Sequence, residues 1–422
     1  MKNRLSQLST RPSSVKRAGA SYEQEAVTVG VYDSFESLAS MAGQWDNFVE
    51  SVGGEIFLSY DWCRVWWKYY SKNRELKVLV FRSGEELVGI IPLFFEKLWL
   101  GPILIQAAKI VSSDFTMPQF SVPIKHVYIR EVVQMFFALL CEDNWDIMHI
   151  GPIAGLYNNY DELREALEQS FGRSYCVSAK KKSVQTYFRL ANTWDKYLAN
   201  LKKKERQLIR STYRKIKKER LTLYTELASA NNFREKFEAF VQTHQSQWQE
   251  LGKAGHFGDW PGSFEFHREV ASIQQKHGRL RLLEVRLFDD CFAYQYSYKF
   301  GNRYFEFLTG RSLSENLAHI DLGRLVFAEQ AKRAISEGVQ CIDSMRGKYE
   351  YKLRMGGELF PTRNLYVVPK KTARVVRVGL FRLFAWLLNF FYYRIWYCKV
   401  AHKLAFKRKG LWKIWIRTCE LA

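Results

Sequence analysis

Strand-like and helix-like stretches follow one another in the order β-α-α-β-β-β-α-β, and that order occurs twice along the chain. In the first copy, residues 26–32 alternate as a strand, and helical spacing covers 35–52 and 60–71. Strand patterns follow at 76–82, 87–95 and 102–111, the first two separated by the turn Ser83-Gly84-Glu85-Glu86. A helix over 128–142, a strand over 145–150, a helix over 158–171 and strands near 174–178 and 183–190 complete it. The second copy runs through a strand at 220–227, helices at 231–250 and 264–277, and a meander at 279–287, 291–299 and 303–309. A helix at 320–337 and strands at 340–344 and 362–368 end it. Each copy fills roughly 150 residues, the size of one domain. The order predicts two similar α/β domains with mixed sheets, at 22–190 and 191–369.

Charge is distributed very unevenly. The 422 residues hold 64 Lys plus Arg against 43 Asp plus Glu, a net charge of +21. Residues 1–20 carry five basic residues and no acid, which with their Ser content reads as a disordered arm over 1–21. Residues 201–220 hold ten basic residues against Glu205 and Glu219, and residues 370–422 hold thirteen against Glu420 alone. The remaining body is slightly acidic. Cationic character therefore belongs to an arm, a helix and a tail, and points to anionic partners. The arm has no apolar core stretch and is not a secretory signal. Seven scattered cysteines with no C-x-x-C pair predict reduced thiols, a cytoplasmic setting and no disulfide framework.

Several chemistries lack their signatures. There is no P-loop, no dinucleotide-binding glycine fingerprint and no nucleophile elbow. The eight histidines never fall four apart, so no helical metal site is expected.

Local sequences then add to the element order. Phe57-Leu-Ser-Tyr60-Asp-Trp62-Cys-Arg-Val-Trp66-Trp67, followed by LKVLVFRSGEELVGIIPLF, resembles the N-terminal half of CelD/BcsL-type acetyltransferases. In the second half, Tyr294–Tyr298, Tyr304–Gly310 and Ala334–Gly338 lead to Cys341-Ile-Asp343-Ser-Met-Arg346-Gly347 and Tyr349-Glu-Tyr351-Lys352. These are similar to the same family, over about residues 25–368. The resemblance implies two tandem GNAT-like acyltransferase domains, akin to Fem-type aminoacyltransferases, with acyl-CoA as co-substrate and no metal. One feature departs from it. The compact R/Q-x-x-G-x-G/A loop that cradles the pyrophosphate of coenzyme A is missing, since Gly310 and Gly323 lie thirteen residues apart.

Candidate site residues come from both readings. Asp343, at the end of a central strand, is a candidate general base, with a structural ion pair to Arg346 as the alternative. Lys352 is a candidate for neutralising an oxyanion or donor phosphate, a role the likeness to Fem-type enzymes strengthens. Arg346 offers a bidentate fork for phosphate or carboxylate. Tyr349 and Tyr351 read equally as core aromatics or substrate contacts. Tyr298, Tyr304 and Glu306 lie on the meander where GNAT folds open a V between strands, and alternation puts Tyr304 and Glu306 on one face. In the loop that follows, Arg311, Gly323 and Arg324 are candidate substrate or cofactor contacts, His319 a candidate catalytic group, and Asp321 a helix N-cap. Trp62, Trp66 and Trp67 recur at helical spacing and read as core.

The expected activity is transfer of an acyl group, acetyl foremost, from acyl-CoA to an amine or hydroxyl of a polysaccharide or cell-envelope precursor. Two alternatives stay open. One is aminoacyl transfer from charged tRNA, supported by the basic helix 201–220, which is thin in aromatic residues for base stacking. The other is a non-catalytic GNAT-fold scaffold at the membrane. The tail 370–422, with twelve aromatics from Phe381 to Trp415, predicts amphipathic helices on the anionic inner membrane surface, or a helical cap packed back on the domains. Its longest uncharged apolar run, Leu383–Tyr393, is too short to span a bilayer.

Overall fold

The structure is a computed structural model that describes residues 25–115, 119–250, 255–258, 261–288, 291–312, 319–400 and 411–422. The expected arm over 1–21, the tight turn expected at Asp289-Asp290 between the strands 279–287 and 291–299, and part of the tail lie outside the described residues. The described chain divides into two compact units. One holds residues up to Lys182 with Arg363–Asn389 and Ile414–Ala422, and the other holds Ser183–Thr362 and Phe390–Lys413.

The first unit opens with β1 (Val27–Tyr32), α1 (Ala42–Ser51) and α2 (Tyr60–Tyr70). Next come β2 (Arg74–Ser83), β3 (Glu86–Leu100) and β4 (Ile103–Ile110), an antiparallel meander with β1 at its edge. The helix α3 (Ile129–Leu140) then crosses to β5 (Ile147–Ile153), which pairs with β4 in parallel. After α4 (Tyr160–Phe171) the chain enters the long β6 (Tyr175–Arg189), inside which the units divide. Trp62 and Trp66 are fully buried on α2, as their spacing predicts, because the helix lays them against Phe57 and Phe94.

The second unit repeats the plan. After α5 (Trp194–Asn200) and the basic α6 (Lys203–Lys218) come β7 (Tyr224–Leu227), α7 (Phe233–Glu250) and α8 (Ser263–Lys276). The meander β8 (Leu280–Phe288), β9 (Cys291–Phe300) and β10 (Arg303–Arg311) leads through α9 (Leu322–Ser336) to β11 (Cys341–Arg346). That strand lies between β10, which it pairs in parallel, and the second half of β6. A short α10 (Glu350–Arg354) precedes β12 (Glu358–Pro369), whose residues from Arg363 pair with β5 of the first unit's sheet.

The unit boundaries therefore differ from those expected at 190/191 and 369/370. Both β6 and β12 are long strands, and each changes unit part-way along. Part of the tail packs back on the first unit, as in the helical-cap alternative. Its first helix, α11 (Thr372–Leu387), buries Val378, Phe381 and Ala385 in the core of the first unit against Leu98, Ile105, Ala107 and Tyr366. A π-helical stretch, Leu388–Val400, continues it. By length and composition alone this 29-residue helix would suffice to cross a membrane. The short run Leu383–Tyr393 understates it, because the helix continues through Arg382 and Arg394. The last helix, α12 (Leu411–Thr418), leads into a buried end. Lys182 donates to the Cys419 carbonyl at 2.6 Å, and the Tyr366 hydroxyl to the Glu420 carbonyl at 2.5 Å. Leu421 is fully buried.

Candidate active site

The most distinctive feature of the second unit is a fork between two parallel strands. β10 and β11 pair through Arg303↔Cys341, Tyr304↔Ile342 and Phe305↔Asp343, and then part. On the outer side, β10 shifts register against β9 between Glu306 and Leu308. On the other, β11 shifts against β6 between Asp343 and Arg346, where Met345 takes a φ of 58°. Two bulges bend the strands away from each other and open a gap in the sheet.

Three side chains stand at the fork. The Ser344 hydroxyl donates to the Glu306 carboxylate. The ammonium of Lys352 donates to the Ser344 carbonyl at 2.5 Å. Lys352 is held there by the short α10 and a tight glycine turn behind it: Gly356 has φ +92°, and a Cβ on Gly357 would stand 2.6 Å from the Thr186 methyl and 2.8 Å from the Lys352 carbonyl. Thr186 in turn donates to the Gly347 carbonyl at 2.7 Å, fixing the loop that leads to α10.

The electrostatics follow from partial burial. Glu306 is half-buried, and burial pushes its carboxyl above the ordinary range, while the Lys352 charge and the Ser344 hydroxyl pull it back. Burial pushes the Lys352 ammonium below its ordinary value, opposed by Glu306 and Asp343. The result is a carboxylate and an amine whose proton affinities approach each other at the mouth of a gap. Such a pair can accept a proton and stabilise a developing oxyanion.

Asp343 is fully buried, and its carboxylate accepts from Gln185 Nε2 at 2.5 Å and from the Met345 amide at 2.9 Å. It thus holds the positive-φ bend at Met345. Tyr351 and Tyr349 stand 58% and 55% exposed at the rim, their rings 6.0 Å apart. Burial of the Tyr351 hydroxyl raises its pKa, and the Glu306 carboxylate adds to the rise. The Lys352 ammonium lies 5.2 Å from the Tyr349 ring centre. Arg346 is half-buried on the outgoing strand.

Beyond the fork, the Arg311 amide donates to Gln247 at 3.0 Å, and a Cβ on Gly323 would stand 3.3 Å from its guanidinium. Arg311 and the first turn of α9 therefore adjoin. Asp321 caps that helix by accepting from the Arg324 amide at 2.9 Å, as expected. Arg324 itself pairs with Glu205 at 2.5 Å and with Asp321, which leaves its guanidinium committed to carboxylates.

Other expected residues are placed elsewhere. The His319 ring pairs with Glu219 at 2.8 Å on the surface instead of joining Glu306 and Lys352. Tyr298 is fully buried, with its hydroxyl bonded to that of Tyr296. Tyr304 packs into the core with Phe188, Tyr197 and Phe327. Both tyrosines precede the bulge, where the sheet is still closed, so neither lines the gap. Glu306 shares a face with Tyr304, as alternation predicts, but sits at the point where pairing ends.

Sequence reasoning missed Ser344, Gln185 and a histidine cluster. His244 on α7 bonds through Nδ1 to the Thr309 carbonyl at 2.7 Å and through Nε2 to His256 Nδ1 at 3.0 Å. His267 is buried nearby among Phe257, Phe266 and Phe307. Their sequence spacing carries no signal, since three separate elements bring them together. Among the described residues, no group of three or more His, Cys, Asp or Glu could hold a metal ion.

Comparison with known proteins agrees with this geometry. Residues 203–353 match the family described as an acetyltransferase (GNAT) domain, a span that contains the fork. Among solved structures, FemX has 9% identity and a TM-score of 0.58, covering 80% of this chain and 98% of its own. A conserved protein of unknown function from Bacteroides thetaiotaomicron has 12% identity and a TM-score of 0.47, covering 81% and 99%. L-PGS from Bacillus licheniformis has 10% identity and a TM-score of 0.44, covering 81% and 96%. No curated protein matches the sequence.

Proposed function

We propose that this tandem GNAT-fold protein, a relative of the Fem-type enzymes in architecture, is an acyltransferase working at the fork between β10 and β11. Its donor is acyl-CoA and its acceptor an amine or hydroxyl of a polysaccharide or cell-envelope precursor in the cytoplasm. The observation that carries this reading is the parting of two parallel strands immediately past Phe305 and Asp343, with Glu306, Ser344 and Lys352 at the opening. A thioester arm laid in the gap would present its carbonyl to these groups. The acceptor heteroatom attacks that carbon, its proton passes to the Glu306 carboxylate, and Lys352 stabilises the charge on the oxygen. The carbon–sulfur bond then breaks, and the thiolate leaves and takes up a proton. Positioning and charge stabilisation supply most of the rate. Arg311 and the amides of the first turn of α9 are suited to the donor's phosphates, although Asp321 at that terminus opposes an anion.

A second reading, aminoacyl transfer from charged tRNA, draws on α6. Ile209, Thr212 and Ile216 bury one side of that helix, while Lys203, Lys204, Arg210, Arg214, Lys217 and Lys218 are exposed and pair with no carboxylate among the described residues. Native mass spectrometry of freshly purified protein separates the two. Co-purified acyl-CoA, with thiol release that requires Glu306, supports the first reading. Bound tRNA supports the second, and neither ligand defeats both.

A further inference from the structure

We propose that the outward face of α11 docks on an anionic lipid bilayer, with the helix lying along the membrane surface and not crossing it. The helix has two opposed apolar stripes. Val378, Phe381 and Ala385 are buried against the first unit's sheet. At 100° per residue, Val376, Leu380, Leu383 and Trp386 fall on the opposite side, and they are 55%, 46%, 50% and 48% exposed. Four large apolar side chains in a row on a solvent-facing helix mark a surface that binds something.

Charge identifies the occupant. Between Glu358 and Glu420 the chain contains no acidic residue. Lys370 and Lys371 precede the helix, and Arg377 and Arg382 flank the exposed stripe on either side. The helix itself carries no carboxylate; Lys371 before it is exposed, and Arg377 stays 45% exposed beside the ridge although it pairs with Asp146, so the ridge and these cations complement acyl chains beneath phosphate headgroups. A tryptophan in the stripe suits the interfacial zone.

The same residues decide orientation. Crossing a bilayer would strip Val378, Phe381 and Ala385 out of the core. It would also break the pairs of Arg374 and Arg377 with Asp146, and the bond from Arg382 to the Leu421 carbonyl at 3.0 Å. The helix is therefore fastened to its unit along one side and offers only the other. This surface belongs to the first unit and the fork to the second, and its test requires no turnover.

The test is co-sedimentation of the full chain with phosphatidylcholine vesicles, with and without phosphatidylglycerol, at low and high salt. Binding is expected only with the anionic lipid and is expected to weaken with salt. Leu380→Glu combined with Leu383→Glu should lower binding about tenfold or more while leaving the thermal unfolding midpoint near that of the unaltered protein, since both positions are half exposed. Alkaline carbonate should release the protein from cell membranes. Absence of binding to anionic vesicles, indifference to salt, undiminished binding by a folded double variant, or retention after carbonate would each overturn the proposal. The salt and carbonate results use the unaltered chain and stand even if the variant does not fold.

Discussion

Glu306 and Ser344 are the first residues past the last paired positions of two parallel strands, and their side chains hydrogen-bond across the opening. The carboxylate is consequently fixed from one side by a hydroxyl and half open on the other. Glu306→Gln should preserve the fold and the Ser344 contact while removing the proton acceptor. We expect kcat to fall about 100-fold or more, the usual range for loss of a general base. Burial raises the carboxyl pKa, and only the ionised form accepts a proton, so activity in the unaltered enzyme should decline as pH falls through a value above the ordinary 4.5. The Gln variant should lose that acid limb. An acid limb that survives in the variant would move the base elsewhere.

Lys352 and Asp343 should respond differently. Lys352 is buried, and its ammonium serves both the Ser344 carbonyl and the charge at the fork. Lys352→Met keeps most of the volume and removes the charge, and should cost about 100-fold in kcat with a smaller effect on KM. Asp343 is engaged with Gln185 and the Met345 amide, which makes it a positioning residue. Asp343→Asn keeps an acceptor for Met345, and Gln185 can turn its amide to match. A loss under about tenfold is expected, with no change in the shape of the pH profile, against about 100-fold or more if Asp343 were the general base. Steady-state kinetics of both variants, beside their melting curves, distinguishes the roles.

The doubled element order was legible because strand alternation and helical spacing are local properties. The Asp343–Lys352 segment and Glu306, both named from the sequence, stand together at the fork that forms the candidate site. What escaped were relations made by distant parts of the chain. Tyr304 and Glu306 alternate onto one face, but only the bulge after Glu306 makes one a core residue and the other a cleft residue. The sequence left open whether the tail packs back on the domains, because its residues follow the last strand. Its burial depends on Lys182, Asn364 and Tyr366 donating to Cys419 and Glu420 across the first unit, which no local pattern reports. Histidines at 244, 256 and 267 converge only once α7 and α8 pack.

Those histidines should govern acid stability. Burial holds His244 down to about 4 and His267 down to about 3, against an ordinary 6.5. Both are neutral in the folded protein, and the unfolded chain binds protons first. Stability is therefore full above about pH 6.5 and is lost as pH falls toward 4, by on the order of 5 kcal/mol for the two together. His267→Phe, of similar shape, removes one titrating group. We expect it to unfold at a higher temperature than the unaltered protein at pH 5 and to be nearly unchanged at pH 8, as scanning calorimetry would report. Equal pH dependence in both proteins would reject the assignment.

The last expectation concerns the closure of the first unit by its distant C-terminal residues. Glu96 is buried on β3, and its carboxylate meets Lys109 at 2.7 Å, Arg74 at 3.0 Å and Arg417 at 2.6 Å. Burial alone would push its pKa up, but the three cations outweigh that and hold it at about 2. Lys109 also donates to the Arg417 carbonyl at 2.6 Å, so one buried cluster ties β3 and β4 to the segment from Ile414 onward. Removing the central charge leaves two buried cations, Arg74 and Lys109, to share the Asp114 carboxylate alone. Glu96→Gln should cost about 3–5 kcal/mol, the range seen when one partner of a buried pair is lost. Arg417→Met should cost less, because its side chain is partly exposed and the backbone bond to Lys109 survives. Chemical denaturation of both variants tests the order. Limited proteolysis adds a local readout: cleavage in 411–422 should rise sharply for Glu96→Gln under conditions where the rest of the chain stays folded. If both substitutions were neutral, the C-terminal segment would not be held by this cluster.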